Sequence, residues 1–156
     1  MAKPIYHPQR GEIYFIEIDD HEVVGSEFKG PHFHLVVSNN ALRTNPQELG
    51  VVVPLTSPES KTGQPKDLGD YRKFRIRILE SAKIREPGER LCAGDSLALT
   101  EQVRVMSVER FKQKPVAKVT QAALGAVESG LAFVLDIPLP VLELPKPAES
   151  SESSAP

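Results

Sequence analysis

The apolar residues of this chain occur mainly in short runs between turn-forming residues, and this pattern favours β-strands. The clearest run is Arg72–Leu79, in which the basic side chains of Lys73, Arg75 and Arg77 alternate with the apolar ones of Phe74, Ile76 and Ile78, as on a strand with one buried face. Glu12–Ile18 carries apolar side chains on both faces, which predicts a strand in the centre of a sheet. Further strands are predicted at Leu35–Asn39 and Gly50–Thr56, and residues 96–106 form either two short strands, Ser96–Leu99 and Glu101–Met106, or one bent strand.

One segment near the C-terminus has the periodicity of a helix instead. Thr120 is the predicted N-cap, and the helix is expected to run to about Leu135. Its predicted buried face consists of Leu124, Val127, Leu131 and Val134. Pro54 cannot donate a backbone hydrogen bond, so its strand is predicted to lie at a sheet edge or to bulge there. These elements indicate a mainly β fold with a C-terminal helix (α+β), built as a bent antiparallel sheet or a small barrel.

The composition is that of one globular domain with a short tail. Of the 156 residues, 40% are hydrophobic, which is ordinary for a soluble protein. The domain is predicted at residues 1–136, and residues 137–156 form a Pro/Ser-rich acidic tail that is expected to be extended and then disordered. No apolar run approaches the roughly 20 residues of a membrane helix. Without a visible signal peptide, and with Cys92 alone, the expected location is cytoplasmic, with no membrane partner.

Five short motifs lie in a fixed order along the chain: Arg10–Tyr14, Val24–Gly30, Leu35–Asn39, Val52–Ser57 and Gly94–Arg104. Together they resemble the MazF/PemK toxins of type II toxin–antitoxin systems, over roughly residues 10–135. The resemblance implies a small SH3-like antiparallel barrel, usually assembled as a homodimer. It also implies a metal-independent endoribonuclease that cleaves single-stranded RNA and is silenced by a cognate antitoxin protein.

The resemblance also points to two catalytic positions. The family motif Gly-x-Arg-Pro is matched here by residues 30–33, so that His32 occupies the position of a catalytic and phosphate-binding arginine. The catalytic Thr or Ser of the third strand is matched by Thr56, with Ser57 beside it. An arginine that some members carry ahead of an acidic-Gln pair, matched here by Glu101 and Gln102, falls on Leu99 and is absent.

The residues themselves are compatible with RNA cleavage. Attack by a 2′-OH needs a base, a cation for the added phosphate charge and an acid for the leaving oxygen. An ordinary histidine titrates near pH 6.5 and serves as base or acid, so His32 is either a catalytic group or a half-exposed loop residue. His34 lies two residues away, but no third ligand with suitable spacing follows. We therefore expect no metal and no other cofactor, and a core or supporting role for His34.

Substrate binding is predicted for polar and basic residues around this pair. Residues 61–90 hold nine basic and five acidic residues, a local excess of +4 in a chain whose net charge is -2, and cations that neutralise phosphates strengthen RNA binding. A solvated strand face is the competing interpretation of these charges. The predicted substrate-binding residues are Lys29, Ser57, Lys73, Arg75, Arg77, Glu101 and Gln102.

The sequence is compatible with three functions. The first is an endoribonuclease toxin, with single-stranded RNA, an acidic antitoxin and a second copy of the chain as partners. The second is a protein that binds RNA on the same fold without cutting it, because the family arginine is missing. The third is a gyrase-directed toxin, which rests on fold analogy alone.

Overall fold

The computed structural model describes residues 5–44 and 47–140. Within them the chain forms eight strands and one α-helix, joined by turns and short 3-10 helices. The strands are β1 (Glu12–Ile18), β2 (Gly30–Val36), β3 (Leu49–Thr56), β4 (Arg75–Ile78), β5 (Lys83–Ile84), β6 (Ser96–Leu99), β7 (Arg104–Ser107) and β8 (Ala117–Val119), and the helix is α1 (Gln121–Val134). Most of the predicted tail, residues 141–156, lies outside the described residues. No helix in the described part of the chain is long and apolar enough to cross a membrane.

All strands pair antiparallel in one sheet, in the order β4-β6-β3-β2-β1-β8-β5, and β7 also pairs with β3. The strands at the two ends, β4 and β5, are joined by only four residues, 79–82. This short connection curls the sheet into a nearly closed barrel, as the sequence predicted. The central position predicted for β1 is confirmed, because β1 lies between β2 and β8.

The curled sheet buries apolar side chains on both faces. One core lies between the sheet and α1 and includes Ile13, Leu35, Val53, Leu55, Leu124 and Val127. The other core covers part of the opposite face and includes Tyr14, Ile16, Ile18, Val36, Val52, Met106 and Phe111. The apolar side chains on both faces of β1 therefore have a structural cause.

Helix α1 begins and ends where the sequence predicts. The Thr120 side chain accepts a hydrogen bond from the Ala123 backbone N–H, which caps the first turn. The helix packs closely on the sheet at Gly130, where an added Cβ would lie 2.9 Å from Ile76 Cγ1. Leu124 and Val127 are buried, whereas Leu131 and Val134 are partly exposed at the end of the predicted face.

The observed strands differ from the predicted ones at two prolines. The strand with Pro54 is neither an edge nor bulged, because β3 pairs with β2 on one side and with β7 and β6 on the other. Pro54 is tolerated because it lies between the last β7 pair, at Val52, and the first β6 pair, at Leu55. Strand β2 begins at Gly30, five residues before the predicted start. It can include Pro31, because Pro31 pairs with β1 and not with β3.

Candidate functional site

The start of β2 and the end of β3 bring His32 and Thr56 to neighbouring positions. The last pair between these strands is Phe33 with Leu55, and His32 and Thr56 each lie one residue beyond it. Side chains alternate across a sheet, so both lie on the face opposite to that of Phe33, which packs towards the core under α1. Thr56 also pairs with Leu97, and Leu97 with Arg77 of β4, which places Arg77 on the same face.

The imidazole of His32 is partly buried against an aromatic ring. Its ring centroid lies 4.1 Å from that of Phe28, with 41° between the ring planes. Burial lowers the pKa of His32 below its usual 6.5, and a hydrogen bond with the Lys29 backbone opposes the shift. His32 is therefore mainly neutral at pH 7, the form that accepts a proton.

Gln102 fixes the loop before β2 with two hydrogen bonds. Its Oε1 accepts a hydrogen bond from the Phe28 backbone N–H at 3.1 Å, and its Nε2 donates to the Ser26 carbonyl at 3.2 Å. Glu27 closes the same loop by accepting from the Val24 N–H at 2.9 Å. The predicted substrate-binding residue Gln102 thus holds in place the loop that carries Phe28 and Lys29.

Thr56 faces a lysine that the sequence motifs do not single out. Lys66 Nζ lies 3.4 Å from Thr56 Oγ1 and 2.7 Å from the Ser57 carbonyl oxygen. Burial and, secondarily, the charge of Arg75 lower the pKa of Lys66. A long irregular loop separates residues 56 and 66 in sequence, and no periodic pattern indicates that it folds back.

The predicted basic stripe is only partly present. Lys73 is not in the strand; it ends a 3-10 helix, Gly69–Lys73, and its Nζ lies 5.6 Å from the centroid of the Phe133 ring. Arg77 pairs with Asp95 at 2.7 Å. The prediction that Lys73, Arg75 and Arg77 share one strand face was therefore wrong for Lys73, because the 3-10 helix ends there and the strand begins only at Arg75.

Arg75 lies on the same strand face as Arg77 and is held from two sides. Its Nε donates to Glu101 Oε1 at 2.6 Å, and its guanidinium lies 4.5 Å from the centroid of the exposed Tyr71 ring. A guanidinium has further N–H groups beyond Nε, so this pairing orients Arg75 without using up its donors. Glu101 thus acts on the site through Arg75.

His34 belongs to the core, as expected from sequence. It is completely buried, and its Nδ1 lies 3.0 Å from the His32 carbonyl oxygen, which can only accept; Nδ1 therefore carries the proton. Its Nε2 has no hydrogen-bond partner among the described residues. Burial lowers the pKa of His34 to about 4, and the charges of His32 and Arg104 contribute in the same direction. In the described residues, no group of three or more His, Cys, Asp or Glu side chains is arranged to hold a metal ion.

An open cleft adjoins the site at the ends of β1 and β2. Gly30 and Pro31 form part of its wall, next to His32 in the chain. Arg110 and Lys112 also line the cleft, and Arg110 is paired with Glu22 at 2.6 Å. These two cations carry no sequence signal that links them to the site, because they are about 80 residues from His32 in the chain.

The sequence matches the family model described as "PemK-like, MazF-like toxin of type II toxin-antitoxin system" over residues 9–135. No curated protein matches the chain.

Solved structures similar to this fold include MazF from Deinococcus radiodurans, with a TM-score of 0.57 and 19% identity over 84% of this chain and 98% of that one. An endoribonuclease from a mycobacterial species has a TM-score of 0.55 and 18% identity, over 87% of this chain and 98% of that one. A MazE–MazF complex from Deinococcus radiodurans has a TM-score of 0.51 and 16% identity, over 85% of this chain and 100% of that one. At these identities the structures establish the fold.

Proposed function

Because the chain belongs to the PemK-like, MazF-like toxin family of type II toxin–antitoxin systems, we propose that it is an endoribonuclease that cleaves single-stranded RNA without a metal ion. The observation that carries the proposal is the placement of a partly buried imidazole, His32, beside the Thr56 hydroxyl on one sheet face. Family membership supports the assignment as a toxin, and the His32–Thr56 pair supports RNA cleavage as its activity.

His32 acts as the general base in this mechanism. Its neutral imidazole takes the proton of a 2′-OH, whose oxygen attacks the adjacent phosphorus while the bond to the 5′-oxygen breaks. The tilted contact with the Phe28 ring holds the imidazole in place and keeps it partly desolvated, which favours the neutral form. The 5′-oxygen takes its proton from solvent.

Thr56 and Arg75 bind the phosphate on which negative charge accumulates. The Thr56 hydroxyl donates to a phosphate oxygen, which is an easier role for a weak acid than proton transfer. Arg75, oriented by Glu101, supplies a permanent cation with several donors. Lys29, Ser57 and Lys73 are exposed, and we assign them, with Arg77, to contacts along the RNA backbone outside this centre.

The partners follow from the same assignment. We propose a cognate antitoxin, acidic and extended, that covers the cationic face, as well as assembly into a homodimer. A similar solved structure, from Deinococcus radiodurans, is a complex of MazE with MazF. The domain is assigned to residues 1–136, with residues 137–156 as an appended tail, and the site of action is the cytoplasm, where mRNA is translated.

The pH dependence of cleavage tests this proposal. Because burial lowers the pKa of His32, the neutral base persists into mild acid, and kcat/KM should rise with pH to a plateau whose midpoint lies below about 6.5. The assay follows single-stranded RNA in EDTA from pH 4.5 to 8. Salt-sensitive binding without products at any pH would instead favour the non-cutting RNA-binding protein.

A further inference from the structure

We propose that Lys66 is a positioning residue, which turns the Thr56 hydroxyl towards the scissile phosphate and keeps a fixed positive charge beside it. This inference rests on the proposed ribonuclease function. Its basis is the contact of Lys66 Nζ with Thr56 Oγ1 at 3.4 Å and with the Ser57 carbonyl oxygen at 2.7 Å.

The backbone holds Lys66 at this place. Residues 58–66 fold back as an irregular hairpin, in which the Lys66 N–H donates to the Pro58 carbonyl at 2.9 Å and the Ser60 N–H to the Gln64 carbonyl at 2.8 Å. Glu59 and Pro65 form a bridge between the two arms, and Gly63, with a positive φ of 77°, allows the turn. The backbone hydrogen bonds of this hairpin therefore bring Lys66 back to the end of β3.

The direction of the hydrogen bond determines what Thr56 can do. An ammonium only donates, so Thr56 Oγ1 accepts from Lys66, and the hydroxyl proton remains available for another acceptor. The positive charge also polarises this O–H bond. With the Ser57 carbonyl as a second acceptor, Lys66 retains a third N–H for a ligand. A phosphate oxygen in front of Thr56 would meet both donors.

The chemistry of the site needs this charge. His32 serves as a base in its neutral form and thus brings no positive charge to the phosphate at the start of the reaction. Lys66 and Arg75 are close enough for the charge of Arg75 to lower the Lys66 pKa, and an anion placed between them would relieve that repulsion. Lys66 is the cation in contact with Thr56, so it supplies positive charge where we place the phosphate.

The test compares Lys66→Met with Lys61→Met, a lysine of the same hairpin on its exposed turn side. We expect Lys66→Met to lower kcat at least about tenfold and to change KM less than about twofold. Lys61→Met should cleave at the wild-type rate. Lys66→Arg should recover most of the rate, because it keeps the positive charge. Because Lys66 acts partly through Thr56, the loss of rate in the double variant Thr56→Val/Lys66→Met should be smaller than the product of the two single losses.

Two results would overturn this role for Lys66 while leaving the ribonuclease intact. One is equal cleavage by the Lys66→Met and Lys61→Met variants, and the other is a double variant in which the two losses multiply. If the wild-type chain cuts no RNA, the proposed function itself fails, and the role of Lys66 with it. Thermal unfolding of each variant confirms that the fold is retained.

Discussion

Replacing His32 with alanine is expected to slow RNA cleavage by about two to four orders of magnitude, the range that general-base catalysis contributes. The fold should persist, because the ring is partly exposed near the start of β2 and contacts Phe28 of a loop. The measurement is the single-turnover rate on a single-stranded RNA. His7→Ala is the matched control, since His7 lies at the Arg43 carbonyl, away from the site.

A second substitution at the same position separates the two roles that this position can have. His32→Arg restores the residue of the family motif and provides a permanent cation that transfers protons poorly. We expect the His32→Arg variant to cleave slowly, at a rate that no longer decreases as the pH falls below about 6.5. If His32→Arg cleaves as fast as wild type with an unchanged pH profile, His32 is not the base.

The second large effect concerns stability in acid. The folded state keeps His34 neutral, because its buried Nε2 has no acceptor nearby among the described residues and a charge there would be unsolvated. The unfolded chain takes up this proton near pH 6.5, whereas the folded chain does so only near pH 4. Stability from neutral His34 is thus complete above about pH 6.5 and is lost as the pH falls, by about 2 kcal/mol at pH 5 and about 3 kcal/mol near pH 4.

Urea unfolding at pH 7 and pH 5 measures this loss directly. In His34→Leu the difference between the two free energies of unfolding should shrink by about 2 kcal/mol, because no buried imidazole remains to be protonated. His7→Gln keeps His34 and should lose as much stability as wild type. Equal acid losses in His34→Leu and wild type would show that other groups cause the effect.

Local pattern was enough to predict the elements that depend on neighbours in sequence. The Thr120 cap, the α1 periodicity and the two-faced apolar pattern of β1 follow from side-chain spacing, and all three are present. The prediction for Pro54 was wrong because the ladder gap that accommodates this residue depends on where β7 ends and β6 begins. Such gaps are set by strands about 50 residues away.

The same limit explains which site residues the sequence does not reveal. The motifs predict His32 and Thr56 as site residues, and the register puts each of them one residue beyond the last pair of β2 and β3. The pairing of Arg75 with Glu101 and the contact of Lys66 with Thr56 depend on how the chain folds back, which residue spacing does not encode. Charge counting alone therefore overestimated the free positive charge of β4.

In the proposed reaction a 2′-OH of RNA is the nucleophile and no metal is needed. The most direct measurement incubates the purified chain, in EDTA, with a single-stranded RNA and with the same sequence fully 2′-O-methylated. We predict cleavage of the RNA alone, with products that end in a 2′,3′-cyclic phosphate and a 5′-hydroxyl. Intact RNA in EDTA, or equal cleavage of both substrates, would contradict this mechanism.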